Sequence, residues 1–402
     1  MNSSIVILFY LNIIALSPIM FSVGVGAIFL RVIQLFSIIV TFPYWKSVHS
    51  GDNRWKMFIW LLFLYFVSTT ISEFFHSSFD YTAVSRLFIH VLYIQSVYAI
   101  VSKVSDKDFY RGLMFVGFCY LFDAWISLSA FSMYSNIGLD LDSLKQMKAI
   151  KRSLFDIGYD MGRIHIIPLI CLMIFPYLKK KLRLFIMILS LYTVLLTATI
   201  TALGAYIGAL LVWMLCSRYK LEIKSKHVLG AIFLIAILLV VLVSNNFVEV
   251  YEYTTGRSML WMQAISSIIS APLFGISGTD FYSNIYQYFM SSNYSAEMVF
   301  NENRFDFTSG SCHNMYLHVM LFHGIIAGVI FLFIIRNVLK TLDSEHFGIE
   351  YKLPLLYLLI RGFGEASGFI ETSSATLEFL FDIYLCRVYY INKKYEKSVL
   401  SL

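Results

Sequence analysis

Charge is what this 402-residue chain has least of. Only 14% of its residues are Asp, Glu, Lys or Arg, against about 25% in soluble domains. So little charge cannot cover a water-facing surface, which excludes two or three ordinary soluble domains. Cysteine is also sparse. The 5 cysteines form no C-x-x-C, and Cys119, Cys171, Cys216 and Cys386 lie in or beside apolar runs. Only Cys312 sits in a long polar segment, so no disulfide framework is expected. No Lys or Arg precedes Arg31, so the basic n-region of a cleavable signal peptide is missing and the first apolar run is expected to be a retained helix. What is there is apolar: 58% hydrophobic residues and 17% aromatics, with 36 Phe and 27 Tyr. Lipid must be the solvent, and the fold class is all-α, a polytopic transmembrane helical protein.

A bilayer core about 30 Å thick needs about 20 mostly apolar residues per helix. Runs of that kind fall at 5–21, 24–44, 56–75, 83–102, 109–133, 161–178, 183–200, 202–217, 228–244, 313–335, 353–369 and 374–391. That makes about twelve spans, or eleven if the barely separated first two are one. No soluble repeat or low-complexity linker interrupts them. Residues 1–402 therefore read as a single integral membrane domain.

The formal net charge of +6 would suit nucleic acid, but in a membrane protein its distribution matters more than its total. Lys46, Arg54 and Lys56, Lys103, Lys107 and Arg111, and Lys179, Lys180, Lys181 and Arg183 fall in alternate loops that share one side. The same parity holds for Arg218, Lys220, Lys224 and Lys226, for Arg336, Lys340 and Lys352, and for Arg387, Lys393, Lys394 and Lys397 at the tail. Most of the 31 basic residues thus mark one face. The positive-inside rule makes that face cytoplasmic and both termini cytoplasmic. Nucleic acid is not an expected partner.

Two external segments are longer than a turn. Residues 134–160 carry Lys145, Lys148, Lys151 and Arg152 against the trend. These form either an anion cradle or the solvated face of an amphipathic helix. Residues 245–312 are mildly acidic, yet hold Trp261, Phe274, Phe281, Tyr282, Tyr286 and Phe289. That loop, before the third-last span, is too apolar for disorder. It is expected to be partly helical and packed back on the outer membrane face.

The long loop reads Gly256-Arg257-Ser258-Met259-Leu260-Trp261, then Ala271-Pro272-Leu273-Phe274-Gly275-Ile276-Ser277-Gly278. The next span opens His313-Asn314-Met315-Tyr316-Leu317, with Gly324 and Gly328 further along. This series resembles the O-antigen polymerase and O-antigen ligase superfamily, closely over residues 250–330 and elsewhere through the twelve-helix layout. The resemblance implies a glycosyltransferase that uses an undecaprenyl-pyrophosphate-linked oligosaccharide on the periplasmic face, with no metal, nucleotide sugar or other cofactor. A polymerase passes the glycan to another lipid-linked repeat unit, and a ligase passes it to lipid A–core. Polymerase is the favoured expectation. Membrane lipid, a chain-length regulator and a flippase are the partners it implies.

The residues suit that chemistry. Breaking the anomeric C–O bond releases a pyrophosphate, and an arginine fork donates bidentately to phosphate. The acceptor hydroxyl needs a base, and histidine titrates nearest neutrality. The expected catalytic pair is His313 and Arg257. Otherwise Arg257 would be a surface arginine or a partner of Glu249 or Glu252, and His313 an interfacial helix cap. Arg163, Asn314, Arg361 and Arg304 are the expected substrate-binding residues. Arg163 could instead snorkel, Asn314 could be a plain N-cap, and Arg361 could pair with Glu365 four residues on, within a span. His318 and His323 do not share the helical face of His313 at 100° per residue. With no H-E-x-x-H present, no metal site is expected. Gly275 and Gly278 read as a tight turn. Gly324 with Gly328, like Gly204 with Gly208, reads as a helix-packing G-x-x-x-G.

One segment departs from the family pattern. Relatives often carry a serine–arginine pair at the end of the seventh span, but Leu196-Thr197-Ala198-Thr199-Ile200-Thr201-Ala202 has no arginine. A different class, a lipid-linked oligosaccharide flippase, would more naturally show short loops and duplicated halves, and neither is evident.

Overall fold

The computed structural model describes residues 2–18, 20, 26–46, 52–76, 79–135, 161–196, 200–245, 257–291, 312–366 and 375–400. Among them every regular element is helical and no strand occurs. The helices are α1 (Asn2–Ala15), α2 (Gly26–Thr41), α3 (Asn53–Phe74), α4 (Tyr81–Val101), α5 (Asp106–Ser135), α6 (Met161–Ile174), α7 (Lys180–Leu196), α8 (Ile200–Tyr219) and α9 (Ser225–Asn245). After them come α10 (Arg257–Ser270), α11 (Gly278–Ser291), α12 (Met315–Leu342), α13 (Leu353–Arg361) and α14 (Ala375–Leu400). Each apolar run of the sequence contains a helix, and the segment 245–312 supplies the extra pair α10 and α11. Among the described residues four helices are long and apolar enough to cross a membrane: Asn53–Phe74, Tyr81–Val101, Thr201–Tyr219 and Met315–Leu342. Shorter apolar helices lie at Ser4–Ala15, Ile28–Tyr44, Ile166–Tyr177 and Ser225–Leu238.

The surface is what lipid demands. Ile39 is 71% exposed, and Phe122 and Phe233 are each 69% exposed. Water would penalise such contiguous apolar faces. Polar groups turn inward instead. Asp52 caps α3 through Trp55 N–H and accepts from the Tyr98 hydroxyl at 2.7 Å.

One end of the bundle gathers the basic residues that the sequence assigned to one side. Arg54 donates to the Lys340 carbonyl at 2.8 Å and to Ser344 at 3.0 Å. Arg387 on α14 donates to the Val101 and Val104 carbonyls at 2.7 and 2.8 Å. Arg183 pairs with Glu350, and Lys352 with Asp343, both at 2.8 Å. Long basic side chains therefore satisfy helix-end carbonyls across that face.

At the other end, α10 and α11 pack as a helical pair on the first half of α12. Their small core joins Met259, Leu260, Ala264, Ile268, Phe281 and Ile285 to Leu321 and Phe322. The Pro272–Gly275 turn between them is bolted to α12 and to the end of α3. Ile276 N–H donates to the Leu321 carbonyl, and Ile325 N–H to the Pro272 carbonyl, each at 2.8 Å. The Ser72 hydroxyl sits between the Phe274 and Phe322 carbonyls, and Phe75 stacks on Phe274 with centroids 4.0 Å apart. Gly324 is therefore no packing surface. Its φ of 76° and ψ of 173° break α12 in mid-helix, where the turn backbone occupies the place of a side chain.

His76 completes this fastening. Its Nε2 donates to the Phe274 carbonyl at 3.1 Å, and Nδ1 lies 3.4 Å from Glu73 Oε2. Burial opposes a positive imidazole, but the bond to Glu73, the Phe274 carbonyl and the charges of Glu73 and Asp280 outweigh it and raise the pKa. A raised folded-state value means that the protonated contact is fully present below the ordinary histidine value of about 6.5 and is lost as pH rises through the raised one. Amide exchange at residues 271–276 is therefore expected to accelerate with pH over that window, beyond its intrinsic pH dependence. In His76→Gln this extra acceleration should be absent. Equal protection profiles in the two proteins would show that His76 does not hold the turn.

Candidate active site

Helix α12 begins with all its first amides in use. Asn314 is the N-cap, its Oδ1 accepting from Tyr316 N–H and Leu317 N–H at 3.1 Å each. Met315 N–H donates instead to the Gly362 carbonyl at 2.7 Å. That carbonyl belongs to an interrupted span. Within the run expected at 353–369, the helix Leu353–Arg361 ends and the chain turns through Gly362-Phe363-Gly364-Glu365. A helix that stops within an apolar run leaves carbonyls without partners, which is tolerated at membrane depth only when protein groups satisfy them. Three groups do so here. Met315 N–H takes Gly362, the Asn314 amide nitrogen takes Phe363 at 3.2 Å, and Arg257 Nη1 takes Gly364.

The turn presents Glu365 to both expected catalytic residues. Arg257, first residue of α10, donates Nη2 to Glu365 Oε1 at 3.2 Å and Nη1 to the Thr201 hydroxyl at 3.1 Å. His313 Nδ1 lies 3.5 Å from the other oxygen, Glu365 Oε2. One carboxylate thus joins residues 108 and 52 positions away in sequence. The side chains of Arg257, Glu365 and His313 are 27%, 18% and 36% exposed, so a ligand can reach all three. His313 also holds a φ of 50°, in the left-handed region that a non-glycine residue seldom occupies; such strain is common at functional sites. A carboxylate at Nδ1 favours the tautomer with its proton there, which leaves the lone pair on Nε2.

Arg361, 1% exposed, sits behind the turn, where its charge acts on Glu365 and Arg257. Two guanidinium groups face one carboxylate among the described residues, so the site is net positive and suited to an anion. Asn314 is committed to the backbone on both sides of its amide and positions its neighbour His313. Arg163 lies in the first turn of α6, but its side chain falls outside the described residues, as do Arg304 and the basic cluster at 145–152. Glu365 was weighed in the sequence only as a partner for Arg361, and Thr201 was not singled out at all. Thr201 had one signal: it lies in the segment where an arginine was expected, and its hydroxyl holds Arg257.

Residues 185–332 match the O-antigen ligase family model. The match contains Thr201, Arg257, His313, Asn314 and Gly324, and supports the O-antigen polymerase and ligase superfamily. No curated protein and no solved structure matches the chain. An O-antigen ligase-type segment implies glycosyl transfer in the broad sense, with lipid-linked polysaccharide as the general substrate class and the membrane as its setting. Arg361 and Glu365 lie beyond the matched segment, so the cluster around Glu365 joins residues from inside and outside it.

Proposed function

We propose that this chain is an O-antigen, or surface polysaccharide, polymerase. It transfers an undecaprenyl-pyrophosphate-linked glycan to another lipid-linked repeat unit on the periplasmic face of the inner membrane, without a metal. The chain spans the membrane about twelve times, or eleven if the first two runs are one, with both termini in the cytoplasm. The observation that carries this reading is the convergence of Arg257 and His313 on Glu365 at the bundle end opposite the basic loops.

The chemistry follows from charge. The acceptor hydroxyl oxygen attacks the anomeric carbon and gives its proton to His313 Nε2. The anomeric C–O bond breaks, and its electron pair leaves with the lipid pyrophosphate. Arg257 receives that growing negative charge, with Arg361 adding field from behind. In the resting site Glu365 neutralises Arg257, so donor pyrophosphate competes with a carboxylate for the same fork. Glu365 then keeps its second oxygen for His313 and stabilises the imidazolium as it forms.

Ligase activity is the second reading, favoured by the description of the matched family model. The lipopolysaccharide ladder of a deletion strain separates the two. Core capped with a single repeat unit is the expected result. Core lacking any O-antigen would replace polymerase with ligase, and an unchanged ladder would overturn both.

A further inference from the structure

Two further arginines lie at the end of the bundle that carries Glu365, outside the matched segment 185–332. Arg31 is the sixth residue of α2, and Arg86 is the sixth of α4. Asn12 on α1 ties the two helices together. Its amide nitrogen donates to Ser37 on α2 at 3.0 Å, and its oxygen accepts from the Tyr93 hydroxyl on α4 at 2.6 Å. Arg31 precedes Ser37 by six residues, and Arg86 precedes Tyr93 by seven. At 1.5 Å per residue both stand about 10 Å from Asn12, toward the helix starts. The charge of Arg86 reaches Arg31 there, so the two helices run the same way and bring both guanidinium groups to one level. The start of α4 belongs to the site end, because Asp80 N–H donates to Glu73 Oε2 at 3.2 Å, beside the fastening made by His76.

Arg31 is half-buried inside an apolar run, with Ile28, Val32 and Leu35 exposed around it. Arg86 is exposed. Toward the interior Arg31 faces Glu378, in the first turn of α14. Glu378 is shared, since His90 Nδ1 lies 3.6 Å from its Oε1 and His90 Nε2 lies 3.5 Å from Asp382 Oδ2. Arg31 Nη1 also donates to Gln34 Oε1 at 3.0 Å. A guanidinium can only donate, so this bond fixes the amide oxygen of Gln34 and leaves its nitrogen for another acceptor. That nitrogen, on a residue 0% exposed, has no hydrogen-bond partner among the described residues. An unmade buried donor is costly, and an acceptor at this place would satisfy it.

Three donors from two helices, two of them positive, thus meet beside a lipid-facing surface near the end of a span. An ionisable side chain within a span marks a substrate path or a partner of opposite charge. Two guanidinium forks suit an anion with several phosphate oxygens. We propose that Arg31, Arg86 and Gln34 form a second anion site, which binds the pyrophosphate of the acceptor lipid while Arg257 receives that of the donor. The inference rests on the polymerase reading, in which both substrates are lipid-linked. Two pyrophosphates must then be held at one membrane level, with the acceptor sugar reaching His313. Among the described residues Arg31, Arg86, Arg257 and Arg361 are the arginines at that end, and Arg361 is buried behind the turn.

Native mass spectrometry of full-length protein in mild detergent, titrated with undecaprenyl pyrophosphate, tests the site. Wild type is expected to take up two molecules. Arg31→Gln combined with Arg86→Gln should take up one. Arg86→Gln alone, at an exposed position, should weaken the second uptake by about tenfold, as loss of a hydrogen bond to a charged group does. Arg257→Lys should remove the other molecule and keep this one. Two molecules on the double variant at wild-type affinity would overturn the second site and leave the polymerase reading standing. So would a single molecule on wild type that only Arg257→Lys removes. Should the double variant fail to accumulate, Arg86→Gln decides alone, and unchanged affinity there overturns the site. No uptake by any of these proteins would remove the site and the polymerase reading together. Displacement of the second molecule by an equal concentration of phosphatidylglycerol would also overturn the proposal, in favour of an ordinary phospholipid head group.

Discussion

Arg257→Lys is expected to leave no polymer ladder at wild-type protein levels, although it conserves charge. An ammonium is one donor atom on a flexible stem and does not reproduce the planar fork by which Arg257 Nη1 takes the Thr201 hydroxyl and the Gly364 carbonyl while Nη2 takes Glu365. Nor can it hold a pyrophosphate bidentately when donor displaces Glu365. His313→Ala removes the base and should lower turnover by about 10²–10⁴-fold, the usual worth of general acid–base help. Insertion should survive, because the α12 start is held by Asn314 and by Met315 N–H, not by the imidazole. His318→Ala, whose ring meets Phe322, is the control and should keep its ladder. Wild-type ladders from both Arg257→Lys and His313→Ala would remove this cluster from the chemistry.

Helix positions were legible because apolar runs in lipid must bury every backbone donor and acceptor internally, and helices do that locally. Arg257 and His313 were legible as candidates because flanking residues carry a family pattern. Glu365 was not, since its partners come from α10 and from the start of α12, and no local spacing encodes such contacts. Local spacing instead suggested Glu249 or Glu252 for Arg257 and Arg361 for Glu365. The end of α13 at Arg361 was hidden for a related reason: its apolar run continues, and only the carbonyls of Gly362, Phe363 and Gly364, taken up by distant donors, show where the helix gives way. His90 stayed silent as one polar residue in an apolar run, because its carboxylate neighbours lie on the last helix.

Gly324 is where sequence spacing and structure part most clearly, and the two assign different costs to the same substitution. Read as a G-x-x-x-G packing stripe, Gly324 and Gly328 should be alike. In the structure an added Cβ at Gly328 comes nearest to the Met320 side chain, 2.6 Å from Cγ, and that flexible side chain can turn aside. At Gly324 it would fall 1.9 Å from the Leu273 carbonyl oxygen and 2.8 Å from Phe274 N. That is backbone, and backbone must move. The glycine conformation itself, φ 76° with ψ 173°, costs another residue about 1–3 kcal/mol. Displacing the turn also endangers the Ile276–Leu321 and Ile325–Pro272 bonds, worth about 1 kcal/mol each. Gly324→Ala should therefore destabilise the protein by roughly 3 kcal/mol or more, and Gly328→Ala far less, read as denaturing-detergent midpoints of purified protein. Because the kink aims the first turns of α12 and His313 with them, whatever Gly324→Ala protein accumulates should also lose its ladder. Matching midpoints for the two alanine variants would restore the packing stripe and discard the kink.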